Sequence, residues 1–199
     1  MNLLEQIPRP DHGSINSGLS ACKADTLRRW LGEPRINKDY NAEGSEPTNK
    51  RILSLLTQAK LGHFRVRCLK PLAERLTAGY AEILARGANW NIKPEQRQMY
   101  QELAAGLGTA GALNVRYVRG SHTTLSNHSW GTAIDFTFKG KLDTRGDGMV
   151  YRFELELYKI FKDLRLGIFW GAGFSTEDGM HFELADETVT EIGRAGGFK

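Results

Sequence analysis

The stretch SNHSWGTAIDF, residues 126–136, places a histidine and an aspartate seven positions apart, with a Trp-Gly pair between them. In a continuous strand, seven residues span about 23 Å and point the two side chains to opposite faces. In a continuous helix the same two residues lie about 10 Å apart along the axis. His128 and Asp135 can therefore reach one metal ion only if the chain turns between them. Gly131 allows such a turn, and AIDFTF after it has the composition of a strand.

The strand that follows the turn carries its aspartate among core-type residues. Alternation along the strand places Ala133 and Asp135 on one face, and Ile134 and Phe136 on the other. A carboxylate in such surroundings is costly unless it is paired or bound to a metal. Two alternatives stay open on these residues alone: a strand-edge carboxylate that pairs with an arginine, and a metal ligand.

A second fragment, STEDGMHFEL over residues 175–184, adds another histidine and two acidic residues. Together with the first pair, His181 completes a set of two histidines and one aspartate, which is typical of open catalytic zinc sites. Zinc lowers the pKa of its bound water from 15.7 to about 7, so a nucleophile exists near neutral pH. A carboxylate outside the ligand set must then carry the proton. Asp178 is the natural candidate, and Glu177 is the substitute.

Both fragments resemble the motifs of one enzyme family. The run from Ser126 to Asp135 is similar to the SxHxxGxAxD motif of zinc D-alanyl-D-alanine carboxypeptidases and phage L-alanyl-D-glutamate endolysins. Asp178-x-x-His181 resembles the DxxH element of that family, and Phe182-Glu183 after it is the usual context. The two elements occur in the family's order, about 45 residues apart, and the resemblance covers residues 115–183.

The resemblance implies a role for each matching residue. It implies that His128, Asp135 and His181 bind one Zn²⁺ per chain, and that Asp178 is the general acid/base. In the family's serine position, Ser126 is expected either to shape the substrate site or to cap a turn.

An arginine ahead of the first ligand holds a substrate carboxylate or the oxyanion in this family, because its planar fork suits that task. RYVRGS offers Arg116 and Arg119. If residues 114–119 form a strand, the two side chains face opposite ways, so only one points into the cleft. Arg119 is preferred because it is nearer the metal segment. Trp130 is expected either to flank the substrate or to pack in the core.

The periodicity of the chain predicts an α+β fold with a small, mainly antiparallel sheet. The family resemblance implies that this sheet carries the zinc site and packs against several helices, as in the hedgehog/D,D-peptidase fold. Helices are predicted within 21–34 and over 50–60, 71–86, 94–106 and 150–164; strands over 63–69, 114–119, 131–138 and 180–184; and a loop over 35–49. Residues 1–199 are predicted to form a single domain, with 1–47 as a possible N-terminal extension and 115–184 as the catalytic core.

Composition and charge exclude several other classes. The net charge of +4 is concentrated in residues 1–100, where 16 basic residues face 10 acidic ones. No run of five like charges occurs, so a solvated surface is expected rather than a nucleic-acid partner. No stretch approaches the ~18 apolar residues of a membrane span, so no membrane partner is expected. Cys22 and Cys68 are expected to be buried thiols, and the protein is expected to be a monomer.

Two further fragments are given ordinary interpretations. Arg145-Gly146-Asp147 spells a cell-attachment tripeptide, but three residues in a Gly-rich turn arise easily by chance. GIFWGAGF, residues 167–174, lacks the Lys-Ser/Thr ending of a phosphate-binding loop. A turn that lets Trp170 and Phe174 line the cleft is expected there.

These observations predict a zinc metallopeptidase that hydrolyses peptidoglycan stem peptides. The start of the chain has no basic segment followed by an apolar one, so a cytoplasmic protein later released to the cell wall is expected, which favours the phage-type L-alanyl-D-glutamate endopeptidase. The alternatives are a D-alanyl-D-alanine carboxypeptidase and a non-catalytic zinc-containing binding module on the same fold. The presence of Asp178 argues against the binding module, which needs no acid/base.

Overall fold

The fold is described from a computed structural model, which covers residues 1–40 and 46–198. The helices are α1 (Ala24–Leu31), α2 (Lys50–Leu55), α3 (Lys70–Ala88), α4 (Pro94–Gly106), α5 (Arg152–Asp163) and α6 (Asp186–Arg194). The strands are β1 (Gln6–Pro8), β2 (Leu56–Leu61), β3 (Phe64–Leu69), β4 (Leu107–Gly111), β5 (Ala133–Phe138), β6 (Met149–Tyr151), β7 (Ile168–Trp170) and β8 (His181–Leu184).

A four-stranded antiparallel sheet in the order β4-β5-β8-β7 forms the centre of the molecule. Strands β5 and β8 are its inner pair, and their register sets Asp135 opposite His181. Because side chains alternate along a strand, Phe136 and Phe182 point to the other face. There they pack against Phe161 of α5. One face of the sheet therefore belongs to the aromatic core, and the opposite face carries the two polar residues.

Two smaller antiparallel pairs complete an α+β fold, as the sequence predicted. β2 and β3 form a hairpin through Gly62, whose φ of +61° lies in the left-handed region that glycine adopts easily. α3 packs against this hairpin and against α4. The other pair joins β1 to β6. Among the described residues, no helix has the length and apolarity that a membrane span requires.

Two predicted elements are wrong. The helix predicted over 50–60 ends at Leu55, and residues from Leu56 onward form β2 because they pair with β3 along its whole length. The strand predicted over 114–119 is irregular, with one isolated bridge from Tyr117 to Leu125. Within it, the carbonyl of Arg116 accepts from the Ser126 amide, so this segment wraps around the turn at residue 126 instead of joining the sheet.

Other predictions are confirmed, some with shifted bounds. The predicted helices over 71–86, 94–106 and 150–164 correspond to α3, α4 and α5, and the helix within 21–34 is α1. Cys22 and Cys68 are buried free thiols, as predicted. The described part of the loop predicted over 35–49 has no helix or strand, and residues 41–45 lie outside the described residues.

Candidate metal centre

The turn predicted between His128 and Asp135 is a single turn of 3₁₀ helix over Asn127–Trp130. Gly131 ends it in the left-handed conformation, with φ of +68°, and its amide donates to the His128 carbonyl at 3.0 Å. A residue with a side chain is strained at this φ, so glycine suits the position. The chain then enters β5, which carries Asp135. The turn that ends at Gly131 thus brings the side chains of His128 and Asp135 close together.

The donor atoms of the three predicted ligands form a nearly equilateral triangle. His128 Nε2 lies 3.2 Å from Asp135 Oδ1 and 3.2 Å from His181 Nδ1, and the last two atoms are 3.1 Å apart. In a tetrahedral zinc site with bonds of about 2.0–2.1 Å, neighbouring donors are about 3.3–3.4 Å apart. The triangle therefore has almost the dimensions of one face of such a tetrahedron, and these residues fit a zinc ion.

The other nitrogen of each histidine has a hydrogen-bond acceptor, which fixes the protonation of the ring. His128 Nδ1 donates to the Ala112 carbonyl at 3.0 Å, and His181 Nε2 donates to Glu183 Oε2 at 2.8 Å. Carbonyl and carboxylate oxygens only accept here, so His128 Nε2 and His181 Nδ1 keep lone pairs for a metal. Histidine ligands in metalloproteins almost always have such partners, which orient the ring and raise its basicity.

Glu183 is a buried carboxylate whose hydrogen bonds are all within the protein. It is 1% exposed, and its Oε1 accepts from the backbone amide of Cys22 at 2.7 Å. Its Oε2 accepts from Asn127 Nδ2 at 2.7 Å besides His181. Sequence reasoning gave Glu183 no role. The spacing offered a signal, because residues two apart in a strand share a face.

The charges around the ligands favour a cation between them. In the metal-free protein, burial alone would raise the pKa of Asp135, but hydrogen bonds from His128 and His181 hold it well below its usual range; a bound metal would replace the protons of those hydrogen bonds. Burial alone would lower the pKa of His181, yet its bonds to Asp135 and Glu183 raise it to about 10. Two carboxylates thus act on this histidine, and together they attract positive charge to the centre.

The predicted acid/base, Asp178, lies on the turn just before β8. Its backbone carbonyl accepts from the His181 amide at 3.1 Å, and its amide donates to the Gly171 carbonyl at 3.0 Å. Burial raises the pKa of the Asp178 carboxyl, and the negative charge of Asp135 adds to that rise, while His181 opposes it. A carboxylate with a raised pKa is better suited to accept and return a proton near neutral pH.

Arg145, which the sequence analysis treated as part of a chance tripeptide, contacts the predicted acid/base. Its Nε lies 3.6 Å from Asp178 Oδ2, and its side chain is 37% exposed. A partly exposed cation, the Arg145 guanidinium, therefore lies beside the Asp178 carboxylate. Arg145 and Asp178 are 33 residues apart, and no local pattern in the sequence connects them.

The two arginines proposed from the sequence have different surroundings. Arg116 is half-buried, and its guanidinium donates to the Tyr117 carbonyl at 3.2 Å. Arg119 lies exposed in a turn. Because the segment is not a strand, the argument that the two must face opposite ways no longer applies. In the described structure neither arginine has a hydrogen bond or ion pair with the three candidate ligands or with Asp178. Arg145, in contrast, contacts Asp178.

The remaining candidate residues lie mainly in the interior. Ser126 is 7% exposed and precedes the 3₁₀ turn, where its carbonyl accepts from the Ser129 amide. Trp130 is fully buried, and its indole N–H donates to the Gly32 carbonyl at 2.8 Å, which favours packing over a substrate contact. Trp170 is also fully buried and stacks on Phe182, whereas Phe174 packs against the His181 ring as expected of a residue lining the cleft.

Comparison with known proteins agrees with this geometry. The sequence model of the family described as D-alanyl-D-alanine carboxypeptidase matches residues 119–184, about a third of the chain. The matched segment contains the three clustered ligands and Asp178. Searches of curated proteins and of solved structures gave no match. The match supports a metallopeptidase that acts on peptidoglycan, with a site that can hold a metal.

Proposed function

We propose that this protein is a zinc-dependent peptidase that hydrolyses peptidoglycan stem peptides, with L-alanyl-D-glutamate as the bond cleaved. The observation that carries the proposal is the triangle of His128, Asp135 and His181 with a carboxylate, Asp178, next to it. A binding module needs the triangle alone. A hydrolase also needs a group that moves protons, and Asp178 has the burial and the raised pKa for that work.

The bond assignment rests on a groove beside the metal centre. An open groove of about 290 Å³ lies between β3 and β4, lined by Arg65, Arg67 and the segment 109–113. Ala112 of that segment is the hydrogen-bond acceptor of His128, so the groove adjoins the centre. β4 is the outermost strand of its sheet, and extended peptides bind readily along such strands. Glu46 also lines the groove and pairs with Arg67 at 2.6 Å, so Arg65 is the cation that can face an acidic group of an extended stem peptide cut at an internal bond.

The residues of the centre have separate tasks in this reaction. Bound zinc supplies a Lewis acid and, through the lowered pKa of water, a nucleophile near neutral pH. Asp178 accepts the proton of the attacking water and returns it to the leaving amine. Arg145 holds Asp178 on the side of the cleft, and its exposed guanidinium can also face a substrate carboxylate. Glu183 keeps the His181 ring in its orientation.

Purified peptidoglycan incubated with the zinc-loaded protein tests the proposal. Mass spectrometry is expected to find fragments with a new N-terminal D-glutamate, and a chelator is expected to abolish them. Asp178→Asn should reduce turnover by at least about 10²-fold while keeping bound zinc, because it removes the proton carrier alone. His128→Ala should lose the zinc. A protein that binds zinc stoichiometrically but releases no product would be a binding module.

A second candidate is a D-alanyl-D-alanine carboxypeptidase, favoured by the description of the matching family. It predicts free D-alanine as the product, from the same digestion, and no new N-terminal D-glutamate. The two candidates use the same residues for the chemistry. They differ in whether the cationic groups near the centre bind a terminal carboxylate or a side group of an internal residue.

A further inference from the structure

Three carboxylates outside the metal centre are buried with unsatisfied oxygens. Asp143, Glu154 and Glu177 are 5%, 0% and 4% exposed. Both carboxylate oxygens of Asp143, and one oxygen each of Glu154 and Glu177, have no hydrogen-bond partner among the described residues. Buried carboxylates are normally paired, hydrogen-bonded or bound to a metal, because leaving them unpaired is costly. These oxygens are therefore available to coordinate a cation.

Two of these carboxylates converge on Gly179. A Cβ atom at Gly179 would lie 2.4 Å from Asp143 Oδ2 and 2.6 Å from Glu154 Oε2, so the two oxygens are within about 5 Å of each other. Two oxygens that bind the same Ca²⁺ ion lie no more than about 5 Å apart, since each Ca–O bond is about 2.3–2.6 Å long, so the separation here allows both to reach one ion. Glu177 enters from the next segment, where its carbonyl accepts from the Gly146 amide at 3.1 Å.

The segment that holds these carboxylates has the spacing of a calcium-binding loop. DTRGDGMVYRFE, residues 143–154, has acidic residues at positions 1, 5 and 12 and glycine at position 6, as in the 12-residue calcium loop of EF-hands. The glycine, Gly148, has φ of +77°, as the sharp turn there requires. Position 3, usually Asp or Asn, is Arg145. Position 12, Glu154, lies in the first turn of α5, where Oε2, the oxygen next to Gly179, accepts from the Tyr151 amide and Oε1 has no partner among the described residues.

We propose that the loop Asp143–Glu154, together with Glu177, binds one Ca²⁺ ion. The donors are all oxygens, which Ca²⁺ prefers, and a loop of irregular shape suits its flexible coordination better than the strict octahedron of Mg²⁺. The proposal concerns a second site, separate from the three ligands of the metal centre, and does not depend on the peptidase function.

The charges of the cluster agree with a bound cation. Burial raises the pKa of Asp143 to about 7 despite the nearby Thr144 amide, and the negative charges of Asp147 and Asp178 add to the rise. Burial likewise raises the pKa of Glu154 to about 9, with Asp143 as the main repelling charge. Without a cation these groups repel one another or take up protons; a divalent ion removes both effects.

The site is placed to affect the metal centre. Gly179, which contacts both carboxylates, follows Asp178 directly in the chain. Arg145, at position 3 of the loop, is the residue whose guanidinium lies beside Asp178. A calcium ion would therefore fix both the segment that carries the acid/base and the cation that contacts it.

Calcium titration of the zinc-loaded protein tests the proposal directly. The protein is freed of metals, given one equivalent of zinc, and titrated with Ca²⁺ in a calorimeter. We expect one Ca²⁺ per chain with a Kd on the order of 10⁻⁵–10⁻³ M, since an arginine replaces one usual ligand. At about 100 times the Kd, the melting temperature should rise by about 5–10 °C. Mg²⁺ at the same concentration should give a much smaller rise.

Matched variants separate a calcium site from a merely structural cluster. Asp143→Asn and Glu154→Gln should lose the calcium-dependent rise, yet without calcium they should melt at or above the wild-type temperature, because a buried charge is gone. Glu95→Gln removes an exposed carboxylate on α4 and should keep the full response. His128→Ala should also keep it, even though its zinc is lost. Absence of calcium binding up to about 10 mM, or an equal response to Mg²⁺, would overturn the proposal.

Discussion

At the scale of single residues, Glu183 links the His181 ring to the surrounding backbone and side chains. Its two oxygens accept hydrogen bonds from the Cys22 amide, from Asn127 and from His181, so each of these three donors is bound to the same carboxylate. A buried network of this kind is stabilising only while each group is satisfied. The orientation of the His181 ring thus depends on a residue that does not itself belong to the ligand triangle.

Replacing Glu183 with glutamine is expected to weaken zinc binding by about 10–100-fold. The amide has nearly the same shape, but it brings an N–H₂ group where the protein already presents donors from Cys22, Asn127 and His181. This effect is measured as a change in zinc affinity, by competition with a chromophoric chelator, and needs no activity assay. Glu191→Gln, on the exposed side of α6, is the matched control. Unchanged affinity in Glu183→Gln would mean that the network does not orient the ligand.

The cluster of His128, Asp135 and His181, with Asp178 just before His181 in the chain, could be predicted from the sequence because these residues occur in two short motifs. Arg145 and Glu183 could not be assigned in the same way. Arg145 reaches Asp178 only after the chain between them has folded, and Glu183 resembles an ordinary strand residue until its partners are known. The sequence likewise did not show whether Trp130 lies in the core or lines the cleft, since both positions suit a large aromatic residue.

At the scale of secondary structure, the Gly131 turn determines how β5 leaves the first ligand. A Cβ at this position would lie 3.1 Å from Leu56 Cδ2 and 3.1 Å from the Leu69 amide nitrogen. The carbonyl of Gly131 also accepts from that amide, so the turn and β3 are held together. Both backbone conformation and close packing therefore call for glycine.

Gly131→Ala is expected to lower the free energy of unfolding by about 1–3 kcal/mol, because the left-handed φ and the contact with a backbone atom both oppose a side chain. Chemical denaturation measures the change. Gly140→Ala separates the two causes: Gly140 has φ of +74°, but a Cβ there meets nothing within 4 Å. Equal losses in both variants would mean that φ alone is responsible and that packing at Gly131 adds nothing.

The loop Asp143–Glu154 makes stability depend on pH. The folded-state pKa values of Asp143 and Glu154, about 7 and about 9, exceed their ordinary values near 4. The folded protein then binds more protons than the unfolded chain. The stability that these two carboxyl groups contribute is therefore fully present below about pH 4 and is lost as the pH rises towards 9. The charged groups that act on the pair are Asp147, Glu177 and Asp178, and Arg145 lies beside Asp178.

Melting temperatures between pH 5 and pH 9, measured without calcium, check this prediction. The wild type is expected to lose stability with rising pH more steeply than the double variant Asp143→Asn/Glu154→Gln. The difference between the two profiles removes contributions that both proteins share, such as that of His181. Parallel profiles would show that the two carboxyl groups titrate normally.

Helices with a clear apolar stripe were predictable, and elements decided by distant partners were not. In α3, Leu72, Leu76 and Ile83 are buried as their spacing indicates. Ile52, Leu55, Leu56 and Ala59 fit the period of a helix, yet pairing with β3 turns the second half of this segment into β2. Residues 114–119 alternate like a strand, but their backbone groups bind the turn near Ser126 instead.

At the scale of the whole molecule, the N-terminal segment is integrated with the rest of the chain. Leu3 is 1% exposed, and β1 pairs with β6. Asn16 donates to the Trp170 carbonyl and accepts from the Trp170 amide, both at 2.9 Å. We therefore propose that the chain forms a single domain to which residues 1–40 belong as an integral part, and not as an appended extension.

Deleting residues 1–20 is expected to lower the melting temperature by about 10 °C or more, because it uncovers apolar surface and leaves the edge of β7 without the Asn16 side chain. Differential scanning calorimetry measures the change. Asn16→Ala keeps the segment and should give a smaller decrease. A truncated protein that melts like the full chain would indicate that the segment is an accessory arm.

The direct opposition of Asp135 and His181 across β5 and β8 has a consequence for how the chain folds. A slip of one residue between these strands would turn one ligand towards the aromatic core, and no ion could then join the two. A metal ion can bind with full affinity only after the correct strand alignment has formed. A bound metal ion would therefore stabilise the correct strand register over a shifted one, because a shifted pairing could not bring both residues to the same ion.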